Sequence, residues 1–151
     1  MRVLIQRVSE ASVTVDGEIV GQIGKGLLAL VASQGGDGAG DVVAAARKIT
    51  GLRIFGDVSD KMNLSLADVG GSVLVVSQFT LLGDVRRGRR PSFAAAAPPE
   101  QARAMIDLLV AEIGAQGIDT ATGAFGRRMS VGLVNDGPVT LMLDFEHGRA
   151  F

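Results

Sequence analysis

The fold is decided by a strand and the residues that end it, Ser72-Val73-Leu74-Val75-Val76-Ser77-Gln78-Phe79-Thr80. The first five residues are rich in β-branched side chains and predict a buried strand. The last four, which we call the strand-end motif (residues 77–80), place two hydroxyls and an amide where the strand stops. Backbone N–H groups at such a terminus can stabilise developing negative charge. The alternative is a strand end at which polar side chains only cap the backbone.

A second polar interruption follows another apolar run and reads Asn135-Asp136-Gly137-Pro138-Val139-Thr140, the Gly-Pro motif (residues 135–140). Pro138 removes a ladder donor and therefore belongs at a strand start or edge. Gly137 allows a ligand to approach the backbone closely. The alternative is a plain turn between antiparallel strands at 129–134 and 139–145. Two interruptions of this kind suggest that two strand ends converge on one pocket.

Outward from these motifs, the hydrophobic pattern predicts alternating strands and helices. Further strands are expected at 2–8, 11–15, 27–32 and 52–55, and helices begin at Asp41 and at Pro98-Pro99-Glu100. Residues 82–97 lack periodicity and are expected to form a long loop. No linker divides the chain, so residues 1–151 are expected to form a single domain. The order predicts an α/β fold, a three-layer α/β/β sandwich of mixed, largely antiparallel sheets with two main helices.

Composition excludes several chemistries. The chain has 151 residues, 47% of them apolar, and a net charge of −1. It has no cysteine, which excludes disulfides and thiolate chemistry, and a single histidine, His147, which we expect to be a solvated tail residue. We expect neither a metal nor another cofactor. The N-terminus alternates like a strand rather than a signal peptide, and no apolar run is long enough to span a membrane, so a cytoplasmic location is expected.

A hydroxyl nucleophile in the strand-end motif would need a nearby base. No histidine or lysine lies close in sequence to Ser77 or Thr80. A positioning and oxyanion-stabilising role is therefore favoured over covalent attack by either hydroxyl.

The segment Arg86-Arg87-Gly88-Arg89-Arg90-Pro91-Ser92-Phe93, which we call the arginine loop (residues 86–93), concentrates positive charge. Four guanidinium groups in five residues can bind phosphates, and Phe93 can stack a base. The alternative is a solvated basic loop. Because the net charge is −1, affinity for RNA would have to come from such a local patch.

Several motifs, in order along nearly the whole chain, carry a family resemblance. They are residues 1–8, 12–15, 52–55 and 61–65, the strand-end motif, 89–93, 97–99 and the Gly-Pro motif. Together they resemble the D-aminoacyl-tRNA deacylase family, named D-tyrosyl-tRNA deacylase in older usage. The resemblance implies a homodimer with an α/β/β layered fold that hydrolyses the ester between a D-amino acid and the terminal adenosine of tRNA, a proofreading step in translation.

The resemblance also implies roles for individual residues. Ser77, Gln78, Phe79 and Thr80 would be the catalytic wall. Gly137 and Pro138, joined by a cis peptide, would enter the partner subunit's pocket, held by Arg7. Further expected substrate contacts are Val139, Thr140 and Met129, and the expected tRNA contacts are Arg86, Arg87, Arg89, Arg90 and Phe93.

Backbone carbonyls can read chirality by themselves. Rigid carbonyls placed where an L side chain would project exclude every L residue, whereas a D side chain points elsewhere. Glycine has no Cβ to exclude, so some activity on glycyl-tRNA mischarged on tRNA(Ala) is expected. The ribose 2′-OH of the substrate is expected to assist the attacking water, in place of a histidine base.

Two stretches depart from the family pattern. Leu82-Gly83 stands where an aromatic residue and alanine are common, and Phe125-Gly126-Arg127-Arg128 stands where Phe-Gly-Ala is common. We expect these differences to affect the pocket rim and the choice of tRNA rather than the reaction. Two rival functions are an RNA-binding module without catalysis and a small-molecule hydrolase. The second would have no use for the arginine loop.

Overall fold

The first strand organises the sheet. The computed structural model describes residues 1–151, and β1 runs without a break over Arg2–Val15. Its pairing with the strand opposite shifts register between Gln6 and Val8 and again between Val8 and Glu10, so the strand bends rather than ends. The predicted division into strands at 2–8 and 11–15 was therefore wrong. A turn at Asp16 and Gly17, both with positive φ, leads into β2 (Glu18–Ile23).

The remaining elements alternate between strands and helices. In chain order they are β3 (Gly26–Ala32), α1 (Ala39–Gly51), β4 (Phe55–Gly56), β5 (Met62–Leu64), α2 (Leu66–Val69), β6 (Ser72–Ser77), a 3-10 helix (Phe79–Leu82), α3 (Pro99–Gly114), β7 (Thr120–Thr122), β8 (Ser130–Glu146) and β9 (Arg149–Ala150). Seven strands form one sheet in the order β7-β6-β3-β1-β8-β9, with β2 also paired to β1. The β3–β6 and β6–β7 pairs are parallel and the other pairs are antiparallel. The predicted mixed, largely antiparallel α/β fold with two main helices is confirmed.

Two apolar cores show how the layers form. Helices α1 and α3 cover one face of the sheet and bury Val3, Ile5, Val73 and Val75 beneath them. The other face curls on itself and encloses a second core that includes Leu74 and Val76. At Gly21 in β2, a Cβ would collide with the carbonyl oxygen of Thr122 in β7, so the two ends of the curl are in backbone contact there.

The last long strand is continuous. Strand β8 spans Ser130–Glu146 and pairs with β1 on both sides of the Gly-Pro motif, from Thr14 opposite Ser130 to Arg2 opposite Asp144. The alternative of a turn between two antiparallel strands is therefore wrong, because the chain does not reverse at Gly137. The motif is a kink within one strand, opposite the bend in β1. No helix in the chain combines the length and the apolar character needed to cross a membrane.

Candidate active site

A cavity of about 510 Å³ opens where β6 ends. Three elements build its walls: the end of β6 with the 3-10 helix, the start of α3, and the segment from the β7–β8 loop into β8. The first wall contributes Val76, Ser77, Gln78 and Phe79, the second Ala96, Ala97, Pro99 and Ala102, and the third Phe125, Gly126, Arg127, Met129 and Val131. The cavity is mostly apolar, with a few polar groups supplied by the strand-end motif.

The strand-end motif is held at the cavity by the parallel ladder. The N–H of Gln78 donates to the carbonyl of Val31 at 2.8 Å, which continues the β6–β3 pairing past Ser77. The chain then enters the 3-10 helix Phe79–Leu82. The first N–H groups of a helix have no acceptor inside it, so those of Phe79 and Thr80 are not used within the helix. The predicted polar terminus is therefore present, and three of its four residues line the cavity.

Thr80 lies at the edge of this wall. Its side chain is exposed and does not line the cavity. The Thr80 hydroxyl accepts a hydrogen bond from the Gln78 side-chain amide. The motif contains no basic side chain that could deprotonate Ser77 or Thr80. Positive charge at the cavity wall comes from Arg127 alone, and a guanidinium does not act as a base.

The third wall includes a thioether side chain, Met129, and an aromatic side chain, Phe125. Met129, which was predicted from the family resemblance, lines the cavity, and its sulfur accepts from the N–H of Ala124 at 3.3 Å. Phe125 was not among the predicted site residues. Its ring lies 5.9 Å from the Arg103 guanidinium carbon, a cation–π distance that links the wall to α3. In the sequence, Phe125 begins a stretch that departs from the family pattern, and no signal there identified it as a site residue.

The Gly-Pro motif is braced by side chains from both strands. The Gly137–Pro138 peptide is cis, as the resemblance implied, and both residues are exposed. Arg7, with only 13% of its side chain exposed, donates from Nε to the Asp136 carbonyl at 2.8 Å and from Nη1 to the Ile54 carbonyl. Arg7 Nε also lies 3.6 Å from the Asp136 carboxylate. The kink is thus tied to β1 and to the residue before β4.

Asn135 closes the kink from the other side. Its Oδ1 accepts from the Val139 N–H at 2.7 Å, and its Nδ2 donates to the Val139 carbonyl at 3.3 Å and to the Thr140 hydroxyl at 3.0 Å. One amide side chain therefore spans the four-residue interval that contains Gly137 and Pro138. This positioning role was not predicted from the sequence.

Within one chain, the two motifs do not meet. Gly137, Pro138, Val139, Thr140 and Arg7 contribute nothing to the lining of the cavity beside Ser77. The expectation that two strand ends converge on one pocket is therefore wrong for a single copy of the chain. The physical reason is that β8 does not end at Gly137, so the kink projects from the middle of a strand instead of from the sheet edge where β6 stops.

The arginine loop lies next to the strand-end motif. An antiparallel bridge between Asp84 and Ser92 closes its base. Arg86 is paired with Asp84, and its hydrogen bonds, from the side chain and from its own N–H, lower the pKa of that carboxyl to about 2. Phe93 packs edge-to-face against Phe79, with ring centroids 5.0 Å apart, so its ring is already engaged with the cavity wall.

The fold and site together define an α/β class in which a mostly apolar cavity at a strand end accompanies a braced Gly-Pro kink. Similar folds are found in solved structures. One titled "c-Myc DNA Unwinding Element Binding Protein" has a TM-score of 0.89 at 37% identity and covers 95% of this chain and 98% of that one. Another, titled as a probable eukaryotic D-amino acid tRNA deacylase, has a TM-score of 0.81 at 19% identity and covers 93% and 97% of the two chains, which shows the fold alone.

Sequence comparison specifies the family. The family model described as D-Tyr-tRNA(Tyr) deacylase matches residues 4–144. Relatives named D-aminoacyl-tRNA deacylase include one from Syntrophobacter fumaroxidans, 58% identical over 95% of this chain and 97% of its own length. Another, from Heliobacterium modesticaldum, is 55% identical over 99% of this chain and all of its own. The chain belongs to the D-Tyr-tRNA(Tyr) deacylase family, which confirms the resemblance.

Proposed function

We propose that the protein hydrolyses the ester bond of D-aminoacyl-tRNA and releases the free D-amino acid and tRNA. The observation that carries this proposal is the cavity at the strand-end motif, which is lined by Ser77, Gln78 and Phe79 and by no histidine, lysine or carboxylate. Family membership and the relatives' names support the same substrate. The function would be chiral proofreading in translation, carried out in the cytoplasm by residues 1–151 as one domain.

The direct test compares matched substrates. Purified protein is incubated with D-phenylalanyl-tRNA and L-phenylalanyl-tRNA, and release of the amino acid is followed under single-turnover conditions. Rapid loss of the D-ester with a stable L-ester is expected. Equal rates for the two esters, or no hydrolysis of either, would contradict the proposal.

The proposed mechanism relies on positioning and oxyanion stabilisation. An aminoacyl ester is already activated, so water attack needs a fixed carbonyl and donors for the oxyanion that forms. N–H groups at Phe79 and Thr80 are suited to that role because they have no acceptor within their own helix. The substrate's 2′-OH would guide the water. Full-rate cleavage of a substrate with a 2′-deoxy terminal adenosine would eliminate this assistance.

Chiral selection is assigned to the backbone of Gly137 and Pro138, placed in the cavity of a partner subunit. Three features support this: the motif is exposed, it is fixed by Arg7 and Asn135, and it does not line its own cavity. The same strand carries apolar side chains that are exposed in the single chain, Leu133, Val134 and Met142. A subunit interface along this strand would cover such side chains, and a two-fold dimer would exchange the two kinks reciprocally.

Subunit mixing tests this arrangement. A chain carrying Gly137→Ala and a chain carrying Phe79→Pro, which removes one of the proposed backbone donors, are each expected to lose nearly all activity alone. If the kink acts in the partner's cavity, random mixed dimers restore about a quarter of wild-type activity, because half the dimers form and one of their two sites is intact. No recovery after co-refolding, with mixed dimers verified by mass, would show that the kink does not act across subunits.

The same filter predicts activity on an achiral substrate. Glycine has no Cβ that could collide with the Gly137 and Pro138 carbonyls. Glycyl-tRNA(Ala) is therefore expected to be hydrolysed, although L-alanyl-tRNA(Ala) is not. Undetectable cleavage of glycyl-tRNA(Ala) at high enzyme concentration would contradict a filter based on side-chain exclusion.

A second candidate, nucleic-acid binding without hydrolysis, is favoured by the arginine loop and by the DNA-binding title of one structural relative. Replacing Arg86, Arg87, Arg89 and Arg90 by glutamine separates the candidates, in comparison with wild type. Loss of RNA binding with an unaltered, negligible hydrolysis rate in both proteins would favour binding alone. Retained cleavage of a small D-aminoacyl ester, with loss of tRNA cleavage, would show that the loop serves an esterase.

A further inference from the structure

Arg127 is the one charged side chain that lines the cavity beside the strand-end motif. The other lining groups are apolar, small, or neutral polar, such as Ser77 and Gln78. A single cation in such a setting selects for a ligand with negative charge at one end and an uncharged body. Arg127 also distinguishes this chain from the Phe-Gly-Ala pattern described above, because it occupies the position of the alanine.

The position of Arg127 is set by a turn and by a distant partner. Gly126 has a φ of +74°, and the Arg127 N–H donates to the Ala124 carbonyl at 3.2 Å, so the loop turns sharply at this point. The Arg127 guanidinium donates from Nη2 to Asp16 Oδ2 at 2.6 Å, across to the turn between β1 and β2. This contact orients the side chain at the rim of the cavity.

The ion pair is one that a ligand can replace. Side-chain exposures of 60% for Arg127 and 80% for Asp16 leave the pair in water, where ion pairs contribute little to stability. A phosphate can therefore displace the carboxylate with little loss, and it offers guanidinium a bidentate partner. In the free protein, the Asp16 carboxylate takes the place of the phosphate and keeps Arg127 oriented.

We infer that Arg127 binds the phosphate that joins the terminal adenosine of the RNA to the preceding nucleotide. The inference rests on the proposed function and specifies how the substrate lies in the cavity. An aminoacyl ester carries an amino group that is itself cationic when protonated, so Arg127 would repel the aminoacyl end. The nearest negative charge on the substrate is the 5′ phosphate of the terminal adenosine. The phosphate is thus directed to the β7–β8 loop and the ester to the strand-end motif.

The test compares Arg127→Ala with Arg128→Ala on substrates with and without that phosphate. Arg128 is exposed, is the next residue and does not line the cavity, so its variant matches the charge change. On D-phenylalanyl-tRNA, Arg127→Ala is expected to lower kcat/KM about tenfold through KM, as for loss of one charge-assisted contact, whereas Arg128→Ala stays within about twofold of wild type. On the phosphate-free ester D-phenylalanyl-adenosine, neither variant departs from wild type by more than about twofold. Equal losses for the two variants on tRNA, or an equal loss for Arg127→Ala on both substrates, would overturn the inference.

Asp16→Asn separates phosphate binding from a purely structural link. It removes the ion pair but keeps the guanidinium, so tRNA activity at least equal to wild type is expected. A loss equal to that of Arg127→Ala would overturn the inference, because the ion pair itself would then be the functional element. The log–log salt dependence of tRNA binding should also become shallower by about 0.7 in Arg127→Ala and remain unchanged in Asp16→Asn.

A binding measurement distinguishes failure of this inference from failure of the proposed function. The probes are 3′-deoxy-3′-(D-phenylalanylamido)adenosine and the same compound extended at its 5′ side by one cytidine through a phosphodiester. Wild type is expected to bind the extended probe more tightly, and Arg127→Ala to remove most of that difference. If wild type binds both probes and the variant retains the difference, only the phosphate assignment fails. If wild type binds neither probe, the proposed function fails with it.

Discussion

The strand-end motif and the Gly-Pro motif both interrupt apolar strands, yet they are held in opposite ways. The first follows a strand buried in the middle of the sheet and is positioned by its own backbone, through the Gln78 N–H on the Val31 carbonyl. The second lies in the middle of a strand and is positioned by side chains, those of Arg7 and Asn135. The first faces its own cavity, and the second faces solvent.

This difference indicates which motif tolerates substitution. Backbone donors persist when the side chain that carries them is changed, so a single substitution in the strand-end motif removes little of what positions the substrate. A kink held by two side chains and by a glycine loses its geometry when any of the three is changed. We therefore expect larger effects from substitutions around Gly137 than from substitutions at Thr80, although Thr80 is nearer the proposed chemistry.

The largest effect is expected from Gly137→Ala. Gly137 has a φ of +146°, and an added Cβ would lie 2.7 Å from Val139 Cγ2 and 3.1 Å from Arg7 Nη2. The backbone must shift to relieve these contacts, and a misplacement of about 1 Å at a positioning group lowers activity about 100-fold. The measurement is single-turnover hydrolysis of D-phenylalanyl-tRNA, with circular dichroism to verify folding.

Gly132→Ala is the matched control for that substitution. Gly132 lies on the same strand and has no positive φ, and the nearest atom to its added Cβ would be Ser12 Oγ at 3.5 Å, an ordinary contact. Activity within about twofold of wild type is expected there, as for an unstrained surface site. Comparable losses at Gly132 and Gly137 would show that the kink has no special role.

The second effect tests the brace. Asn135→Ala removes the acceptor for the N–H of Val139, a residue only 7% exposed, together with two donated hydrogen bonds. Leaving such a group unpaired costs about 1–3 kcal/mol, which corresponds to a fall in Tm of roughly 2–12 °C for a chain of this size. Activity is expected to fall about tenfold, with weaker discrimination against L-aminoacyl-tRNA.

Asn135→Asp sharpens this experiment, because it keeps the acceptor for Val139 and removes only the donors. Its Tm and activity are expected to lie between those of wild type and Asn135→Ala. If Asn135→Ala melts with wild-type Tm and keeps wild-type chiral discrimination, the kink does not depend on Asn135.

Both motifs were identified from the sequence, but only the strand-end motif was placed correctly in the fold. The strand before Ser77 was predicted correctly, because β-branched residues and burial give a local signal. The continuity of β8 was not, because a glycine and a proline in a strand favour a turn locally. Only pairing with β1, more than a hundred residues away in sequence, keeps the strand continuous through the kink. Strand β7 was not predicted for the same reason, because it has only three residues and depends on pairing with its parallel neighbour β6.

Within the candidate site, a similar division holds. Ser77, Gln78, Phe79 and Met129 were predicted and line the cavity. The contribution of Asn135 to the kink was not predicted, because side-chain hydrogen bonds across a kink follow from backbone geometry that one sequence does not reveal. The pairing of Arg127 with Asp16, 111 residues apart, has no local signal at all.

The third effect concerns the strand-end motif itself. If backbone donors carry the chemistry there, Thr80→Ala lowers the single-turnover rate by no more than about fivefold, since only the hydroxyl that accepts from Gln78 is lost. A covalent Thr80 intermediate predicts a loss of about a thousandfold or more. Thr80→Ser does not separate these cases, because serine can also act as a nucleophile. A thousandfold loss in Thr80→Ala, with the fold intact, would reverse the comparison between the two motifs.

The smallest effect is expected within the arginine loop, next to the strand-end motif. Arg86 is committed to Asp84, whose pKa it lowers to about 2, so the carboxylate is charged and the pair persists throughout neutral pH. For an aspartate with a lowered pKa, that interaction is complete above the ordinary value of 3.8 and is lost only as the pH falls through about 2. Arg86→Gln should therefore reduce tRNA affinity by no more than about twofold at both pH 6 and pH 8, whereas Arg89→Gln, which removes a guanidinium without a carboxylate partner, should reduce it about fivefold. The affinities are measured by fluorescence anisotropy. If Arg86→Gln binds tRNA more weakly than Arg89→Gln, Arg86 leaves Asp84 to bind the RNA. The ion pair would then not be a permanent structural link within the loop.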